Sequence, residues 1–346
     1  MAKLWIAVVF GTIGILASVA SSQLSVGFYE KQCPQVEAVV QSFVQDAITR
    51  KPGVGAGLLR LQFHDCFVQG CDASVLIDST KNNSAEKDAP PNISLRGFEV
   101  IDAAKAALET QCPGVVSCAD IVAYAARDSV FKALFFPHLF QIKLTSCFSF
   151  LSQLGGPFWE VPVGRRDGTI SRMKEANASL PAPFFNVAQL TQNFAAQGLS
   201  QDDMIVLSGA HTIGIAHCFT FSPRLYNFSA NASTDPTLDP NFATALKKQC
   251  PPGKAAAFNS VVLDSHTPIH FDNSYYVNLA LQKGVLGSDQ VLFSDAATSK
   301  AIKTSSVDEE SWRAKFAAAM IKMGSVKVKT GQQGEIRKSC RAVNHS

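Results

Sequence analysis

Residues 59–76 read LRLQFHDCFVQGCDASVL, a stretch that mixes charged, aromatic and cysteine residues with apolar ones. On a helix, Arg60 and His64 project from one face because they are four residues apart, and Phe63 lies beside them. Such a pair suits the cleavage of an O–O bond, because a neutral imidazole moves a proton between the oxygens while the guanidinium stabilises the leaving oxygen. The simpler alternative is a buried histidine that is satisfied by ordinary hydrogen bonds.

The residues after this helix are suited to hold a hard cation. They comprise three oxygen-bearing side chains, a glycine that permits an unusual backbone turn and two cysteines that can close the loop, namely Asp65, Asp72, Ser74, Gly70, Cys66 and Cys71. Oxygen donors in a constrained loop favour Ca²⁺. Half of a zinc site is a weaker interpretation, because no second cluster of soft ligands follows. The remaining alternative is a loop whose aspartates are solvated and bind no ion.

The chain begins with the pattern of a cleaved secretory signal. Lys3 precedes an apolar run from Leu4 to Ala20, and small residues follow it, so we expect residues 1–22 to be removed and Gln23 to become the first residue. An N-terminal membrane anchor is the alternative, but the run is short for a span. No later segment has the pattern of a membrane-spanning helix.

Composition narrows the class of protein further. The 346 residues are 47% hydrophobic, enough for one large core or two lobes that share a cleft, and the net charge of +3 is too weak to indicate a nucleic-acid partner. In an oxidising compartment, eight of the nine cysteines can form four bridges. Six glycosylation sequons fit the same route, at Asn82, Asn92, Asn177, Asn227, Asn231 and Asn344.

Helical periodicity dominates the chain, so we expect one mostly α-helical unit. Apolar residues share a helix face at Phe98, Ile101 and Leu108, and again at Trp312, Phe316, Met320 and Met323. Ser117 and Asp120 have the spacing of a capping box at the start of SCADIVAYAARD. Residues 133–153, ALFFPHLFQIKLTSCFSFLSQ, are rich in phenylalanine and contain the ninth cysteine, Cys147. This segment has neither the periodicity of a helix nor that of a strand.

A second group of chemically capable residues lies far downstream. His211 follows an apolar helical run in DDMIVLSGAHTIGIAHC, and spaced oxygen donors follow at Asp264, Thr267 and Asp272. Asp289 stands in the apolar stretch GSDQVLF, where a buried carboxylate requires a hydrogen-bond donor such as an imidazole N–H.

Taken together, RLQFHDCFVQGCDASVL, EKDAPPN, VVSCADI, LSGAHTIG and FDNSYY resemble the secreted plant haem peroxidases, the class III or horseradish-peroxidase-like family. The resemblance runs from about Gln23 to Cys340 and is interrupted by residues 133–153. It implies a haem peroxidase domain over residues 23–346, with distal and proximal helical lobes on either side of haem b.

The resemblance also implies roles for single residues. His211 would be the axial iron ligand, and Asp289 would accept its other ring proton, which favours high-valent iron. His64 would be the acid–base catalyst with Arg60 as its electrostatic partner. Asn92 would hold the tautomer of His64, which makes the Asn92 sequon a poor glycosylation candidate. Glu86 would anchor Asn92, Phe63 would belong with Arg60 and His64 to the catalytic residues, and Pro181 in LPAPFF would lie at the exposed haem edge, where aromatic donors approach.

Two calcium sites and four disulfides are implied in the same way. One ion would use Asp65, Asp72, Ser74 and the main-chain carbonyls of Val68 and Gly70. The other would use Thr212, Asp264, Thr267, Asp272 and the main-chain carbonyl of His270. The implied disulfides are Cys33–Cys112, Cys66–Cys71, Cys118–Cys340 and Cys218–Cys250, a pairing that sequence alone could not select.

The implied function is the oxidation of small phenolic and other aromatic donors by hydrogen peroxide, in one-electron steps, by a monomer that binds neither nucleic acid nor membrane. An extracellular or cell-wall location is expected rather than the vacuole, because no extension resembling a vacuolar signal follows Cys340. The alternative is a secreted, calcium-stabilised glycoprotein of the same fold whose activity the insertion impairs. Catalase-type and thiolate-ligated oxygenase functions are disfavoured, because they use tyrosine and cysteine as axial ligands.

The insertion at residues 133–153 departs from the family, which passes directly from the helix ending near Lys132 to LGGP. One hypothesis is a lineage-specific surface loop, since the cost of closing a loop grows slowly with its length. The other is a retained intron translated in frame, because TSCFSFLSQ can be encoded by a pyrimidine tract that ends in CAG. We favour the intron, and sequencing the transcript distinguishes the two.

Overall fold

The computed structural model describes residues 24–131 and 155–344. These residues are predominantly helical, as the periodicity predicts, and two short strands form one antiparallel ribbon. The helices are α1 Val36–Arg50, α2 Gly53–Phe67, α3 Phe98–Gln111, α4 Cys118–Val130, α5 Met173–Ser179, α6 Val187–Ala195, α7 Gln201–Ser208, α8 Cys218–Tyr226, α9 Pro240–Gln249, α10 Ser274–Ala280, α11 Gly287–Ser294, α12 Ser299–Ser305 and α13 Glu309–Met323.

Helix α4 is the centre of the N-terminal half, since all of its residues are buried and both α1 and α2 pack against it. Ser117 caps the helix by accepting a hydrogen bond from the Asp120 main-chain N at 3.1 Å. The reciprocal half of the predicted capping box is absent. The Asp120 carboxylate instead accepts from the Arg165 guanidinium at 2.8 Å and from the Tyr29 hydroxyl at 2.7 Å, because a buried carboxylate needs strong donors.

In the C-terminal half, helix α13 is the helix with a largely buried apolar face, and it packs against α7. Its predicted apolar face is buried, with Trp312, Phe316, Met320 and Met323 each at most 2% exposed. The Trp312 ring N–H donates to the carbonyl of Val206 on α7 at 3.2 Å, so the indole is both packed and hydrogen-bonded. This contact supports α7 immediately before His211.

The ribbon joins two segments that each contain predicted site residues. Strand β1, Ile215–His217, begins four residues after His211, and strand β2, Ser260–Val262, ends two residues before Asp264. The strands pair antiparallel with Ile215 opposite Val262. This register brings the chain after His211 beside the chain before Asp264, although the two lie about fifty residues apart.

Four disulfide bonds join the described residues: Cys33–Cys112, Cys66–Cys71, Cys118–Cys340 and Cys218–Cys250. They are the four pairs that the resemblance implies. Cys66–Cys71 closes the loop directly after α2, whereas Cys118–Cys340 joins the start of α4 to the C-terminal segment across 222 residues. Because Cys66 and Cys71 are bonded to each other, they cannot provide the thiolates of a zinc site.

Several predicted features lie outside the described residues: the signal peptide at 1–22, the insertion at 133–153 and Cys147. The chain on either side of the insertion is described, and its two sides touch. The Gly156 N–H donates to the Val130 carbonyl at 3.3 Å, and the Phe131 and Phe158 rings meet edge to face at 5.1 Å. Within the described ranges, no helix is long and apolar enough to cross a membrane.

Candidate active site

Helix α2 carries the first half of the site, and Arg60 and His64 lie on one face of it as the spacing predicts. The Arg60 Nε–H donates to His64 Nε2 at 3.0 Å. Phe63 packs edge to face against His64 at 5.2 Å and against Phe67 at 4.4 Å, so aromatic rings fix one side of the imidazole. His64 is only 4% exposed.

Asn92 determines which ring nitrogen of His64 carries the proton. Its side-chain N–H donates to the main-chain carbonyl of Glu86 at 2.8 Å, which turns Oδ1 toward the imidazole, 2.6 Å from His64 Nδ1. An amide oxygen only accepts, so Nδ1 bears the proton and Nε2 keeps a lone pair. The anchor from Glu86 is therefore its main chain, and both of its carboxylate oxygens are buried without a hydrogen-bond partner among the described residues.

Two contacts of Arg60 were not predicted from the sequence. Its Nη1 donates to the Ser94 hydroxyl at 2.9 Å and its Nη2 donates to the Pro91 carbonyl at 2.8 Å. Both acceptors lie in the PPNIS segment that also contains Asn92. The segment thus holds the guanidinium and the imidazole together, and its proximity to Asn92 was the only signal that could have indicated these contacts.

The electrostatics of this half keep the imidazole neutral. Burial and the Arg60 charge lower the pKa of His64 well below its usual value, and the hydrogen bond with Asn92 offsets only part of the effect. Burial and the neighbouring Arg96 lower the pKa of Arg60 to about 10, so the guanidinium remains charged at neutral pH. The site therefore pairs a base with a cation.

His211 forms the second half of the site, in the short 3₁₀ turn Gly209–Thr212 after α7. Its Nδ1 lies 2.9 Å from Oδ1 of Asp289, which is 3% exposed on the first turn of α11. Partial burial lowers the pKa of His211, but the charge and hydrogen bond of Asp289 outweigh this effect and raise the pKa overall. Since Nδ1 is engaged, Nε2 is the nitrogen that can bind a metal.

The two halves lie close enough to interact electrostatically. The Arg60 charge acts on His211 and lowers its pKa, although the two residues are 151 positions apart. The His211 side chain is 38% accessible despite its buried partner, so its ring borders an opening. A haem group fits these residues: one imidazole has a free Nε2 backed by a carboxylate, and a second imidazole is held neutral beside a cation.

Pro181 lies in a segment that is tied to α11. The Ser288 main-chain N donates to the Pro183 carbonyl at 2.9 Å, next to Asp289. Phe184 is 76% exposed in the same segment. The structure thus places an exposed aromatic side chain beside the helix that carries Asp289.

The loop after α2 concentrates buried oxygen atoms. Asp65 Oδ1 and Ser74 Oγ are buried without a partner among the described residues, while Asp72 accepts from the Ser74 N–H at 3.0 Å and from Lys329. Burial and the Asp72 charge raise the pKa of Asp65 well above its usual value. Unpaired buried oxygens are costly unless a cation contacts them, so this set fits Ca²⁺.

A second oxygen cluster surrounds Thr212. Its hydroxyl lies 3.1 Å from both the Asp264 and the Asp272 carboxylates, and the Thr267 hydroxyl lies 3.0 Å from Asp272. The described residues contain no group of three or more His, Cys, Asp or Glu side chains placed to hold a metal. Each oxygen cluster has two aspartates supplemented by hydroxyls, a composition that suits calcium rather than zinc.

Comparison with known proteins agrees with this geometry. Residues 40–308 match the peroxidase family. The chain is 47% identical to Peroxidase 5 of Vitis vinifera over 342 residues, which covers 98% of each chain. It is 45% identical to Peroxidase 4 of Vitis vinifera over 98% of each chain, and 44% identical to Peroxidase 66 of Arabidopsis thaliana over 98% of this chain and 97% of the relative. With a match of this extent and identity, the chain belongs to the peroxidase family.

Proposed function

We propose that this protein is a haem peroxidase that reduces hydrogen peroxide with electrons from phenolic and other small aromatic donors. For each peroxide reduced to two water molecules, two donor molecules each lose one electron and one proton. The observation that carries the proposal is the pairing of two differently held imidazoles, one between Arg60 and Asn92 and the other on Asp289.

His211 would hold the haem iron through Nε2. Asp289 draws the Nδ1 proton of His211 toward its own oxygen, which increases electron density on the imidazole. A bound haem would supply the redox chemistry, by accepting both oxidising equivalents of peroxide and passing them on one at a time. The carboxylate also fixes the ring orientation.

His64 would move the proton of peroxide. Its Nε2 lone pair takes the proton from one oxygen and returns it to the other, while Nδ1–H stays bonded to Asn92. Arg60 Nε–H occupies that same lone pair in the structure, so the guanidinium must yield it when peroxide binds. The charge of the Arg60 guanidinium then stabilises the departing oxygen, and the hydrogen bonds to Ser94 and Pro91 keep the guanidinium close to that oxygen.

We propose that aromatic electron donors approach the site at the segment around Pro181, because the exposed Phe184 in this segment offers an aromatic surface next to α11. Phenols suit this surface, since their rings stack while their hydroxyls remain polar. Lignin or suberin formation, wall cross-linking and peroxide removal are the processes that such chemistry serves.

We further propose that the two oxygen clusters bind one calcium ion each. Asp65 directly follows His64, and Thr212 directly follows His211, so each ion would fix the end of the segment that carries a functional histidine. Secretion to the cell wall as a monomer, after removal of residues 1–22, completes the proposal. The four disulfides support it because such bonds persist in oxidising compartments.

The test is a visible spectrum of the refolded chain with haem and calcium, followed by guaiacol turnover. We expect a haem absorption band and peroxide-dependent oxidation. His211→Ala should lose the band, and His64→Leu should keep it but lose about 10²- to 10⁴-fold in the rate with peroxide, the usual contribution of an acid–base group.

His217→Ala is the matched control, because this half-buried imidazole on β1 hydrogen-bonds to the Phe258 carbonyl at 3.0 Å and packs against the Phe219 and Phe258 rings, none of which has a role in the proposed chemistry. It should leave both the spectrum and turnover unchanged. Absence of a haem band in the wild-type chain, or full haem uptake and turnover in His211→Ala, would refute the proposed function. The alternative of an impaired glycoprotein would be favoured by a haem band without turnover.

A further inference from the structure

Asp289 has a second donor that the roles above do not use. The Tyr275 hydroxyl donates to Asp289 Oδ1 at 3.0 Å, and this is the same oxygen that lies 2.9 Å from His211 Nδ1. Tyr275 lies on α10, is 3% exposed and meets the His211 ring at 6.2 Å. One carboxylate oxygen is therefore shared by an imidazole and a phenol.

The direction of the hydrogen bond follows from the two groups that form it. An ionised carboxylate has no proton and can only accept, so the Tyr275 O–H donates to Asp289 Oδ1. A phenol that donates to a carboxylate forms a charge-assisted bond, which is stronger than a bond between neutral groups. Tyr275 thus removes part of the negative charge that Oδ1 would otherwise offer to His211.

We propose that Tyr275 is a positioning residue for the axial histidine, which fixes the Asp289 carboxylate and limits how anionic the His211 imidazole becomes. The inference rests on the proposed function, because its consequence concerns the iron that His211 would hold. A less anionic ligand stabilises the ferric state less, so the Tyr275 hydroxyl raises the reduction potential of the iron.

A purely structural role for Tyr275 is the competing explanation, and the adjacent residue separates the two. Tyr276 is fully buried, and its ring lies 5.0 Å from that of Tyr275. Its hydroxyl donates to the carbonyls of Ile205 and Val206 on α7, at 3.0 and 3.2 Å. Removing either hydroxyl disturbs the same part of the core, but only the Tyr275 hydroxyl contacts Asp289.

The experiment compares Tyr275→Phe with Tyr276→Phe in the haem- and calcium-loaded protein. The readouts are the Fe(III)/Fe(II) midpoint potential and the iron–histidine stretching frequency of the ferrous form. We expect Tyr275→Phe to shift the potential to more negative values and the stretch to higher frequency, because all of the Oδ1 charge then acts on His211. Tyr276→Phe should leave both values at those of the wild type.

A double-mutant cycle tests whether Tyr275 acts through the carboxylate. Asp289→Asn should shift both readouts in the opposite direction, and adding Tyr275→Phe to it should have no further effect. The inference would be overturned if Tyr275→Phe and Tyr276→Phe gave equal readouts, or if Tyr275→Phe still had an effect in the presence of Asp289→Asn. In either case, haem binding and turnover by the wild-type protein would leave the proposed function intact. A wild-type chain without a haem band would refute both.

Discussion

Deletion of residues 133–153 tests whether the fold needs the insertion. The chain on either side of it is already joined, by the Gly156 N–H to Val130 carbonyl bond at 3.3 Å and by the Phe131–Phe158 ring pair. Gly156 permits this approach, since a Cβ there would lie 2.8 Å from both the Val130 Cβ and the Val130 carbonyl oxygen. A shortened connection therefore has both attachment points in place.

The expected gain in stability follows from the entropy lost when the connecting loop is closed. Gly156 follows Val130 by 26 residues, and deletion of the 21 inserted residues shortens this separation to five. The cost of closing a loop grows as 3/2 RT times the logarithm of its length, so the deletion should stabilise the fold by about 1.5 kcal/mol. With an unfolding entropy of about 2.1 cal/mol/K per residue, the corresponding increase in Tm for a protein of this size is about 2 °C.

Calorimetry of the haem- and calcium-loaded proteins measures this difference, and guaiacol turnover measures activity. Cys147→Ser in the full-length chain is the control that separates loss of the odd thiol from loss of the insertion. Gly156→Ala should lower the Tm in both the full-length and the shortened chain, because the added methyl group clashes at the junction.

A shortened chain with a lower Tm than the Cys147→Ser protein would refute this reasoning. It would mean that residues 133–153 make native contacts worth more than the entropy of closing the longer connection. Unchanged turnover together with the higher Tm would show that the insertion is dispensable for the proposed chemistry.

Three further predictions concern the ions, pH and glycans. Chelation of calcium should lower the unfolding free energy by about 2.7 kcal/mol for each site that was saturated at a hundred times its dissociation constant, and Ca²⁺ but not Mg²⁺ should restore the Tm in calorimetry. Because the pKa of His64 lies well below 6.5 and the base works only when neutral, the stopped-flow rate with peroxide should stay constant as the pH falls through 6.5 and decline only at lower pH. Arg60→Leu removes a charge that lowers this pKa, so its acid limb should move to higher pH, whereas an unmoved limb would contradict the assigned electrostatics. Peptide mass spectrometry should find glycans at the exposed sequons Asn82, Asn177, Asn227 and Asn231. It should find none at Asn92, which is 1% exposed, or at Asn344, whose side chain donates to the Ile336 carbonyl at 2.8 Å.

The spacing of residues along the sequence was sufficient to predict the helices and the side-chain contacts that lie within one helix. Trp312, Phe316, Met320 and Met323 form a buried face because their spacing follows the helical repeat. Arg60 and His64 meet for the same reason. The longer motifs, through the family resemblance, indicated which distant segments converge, such as Thr212 with Asp264.

Other contacts between residues of different segments could not be predicted, because the helical spacing relates only residues within one helix. Tyr275 reaches Asp289 across 14 residues and two helices, and neither spacing nor residue type distinguishes it from Tyr276. Asp120 fits a capping box by sequence, but the tertiary fold offers it Arg165 as a stronger donor. Glu86 was expected to anchor Asn92, and the structure shows that its main chain does so while its carboxylate faces the oxygen-rich loop.

The disulfide between Cys118 and Cys340 has a consequence for proteolysis. The other three bridges each lie wholly before residue 132 or wholly after residue 154, so this bond alone among the four crosses the insertion. A protease that cuts once between those two positions would leave two fragments joined covalently. Such nicked protein would migrate as one band on a non-reducing gel and as two bands after reduction.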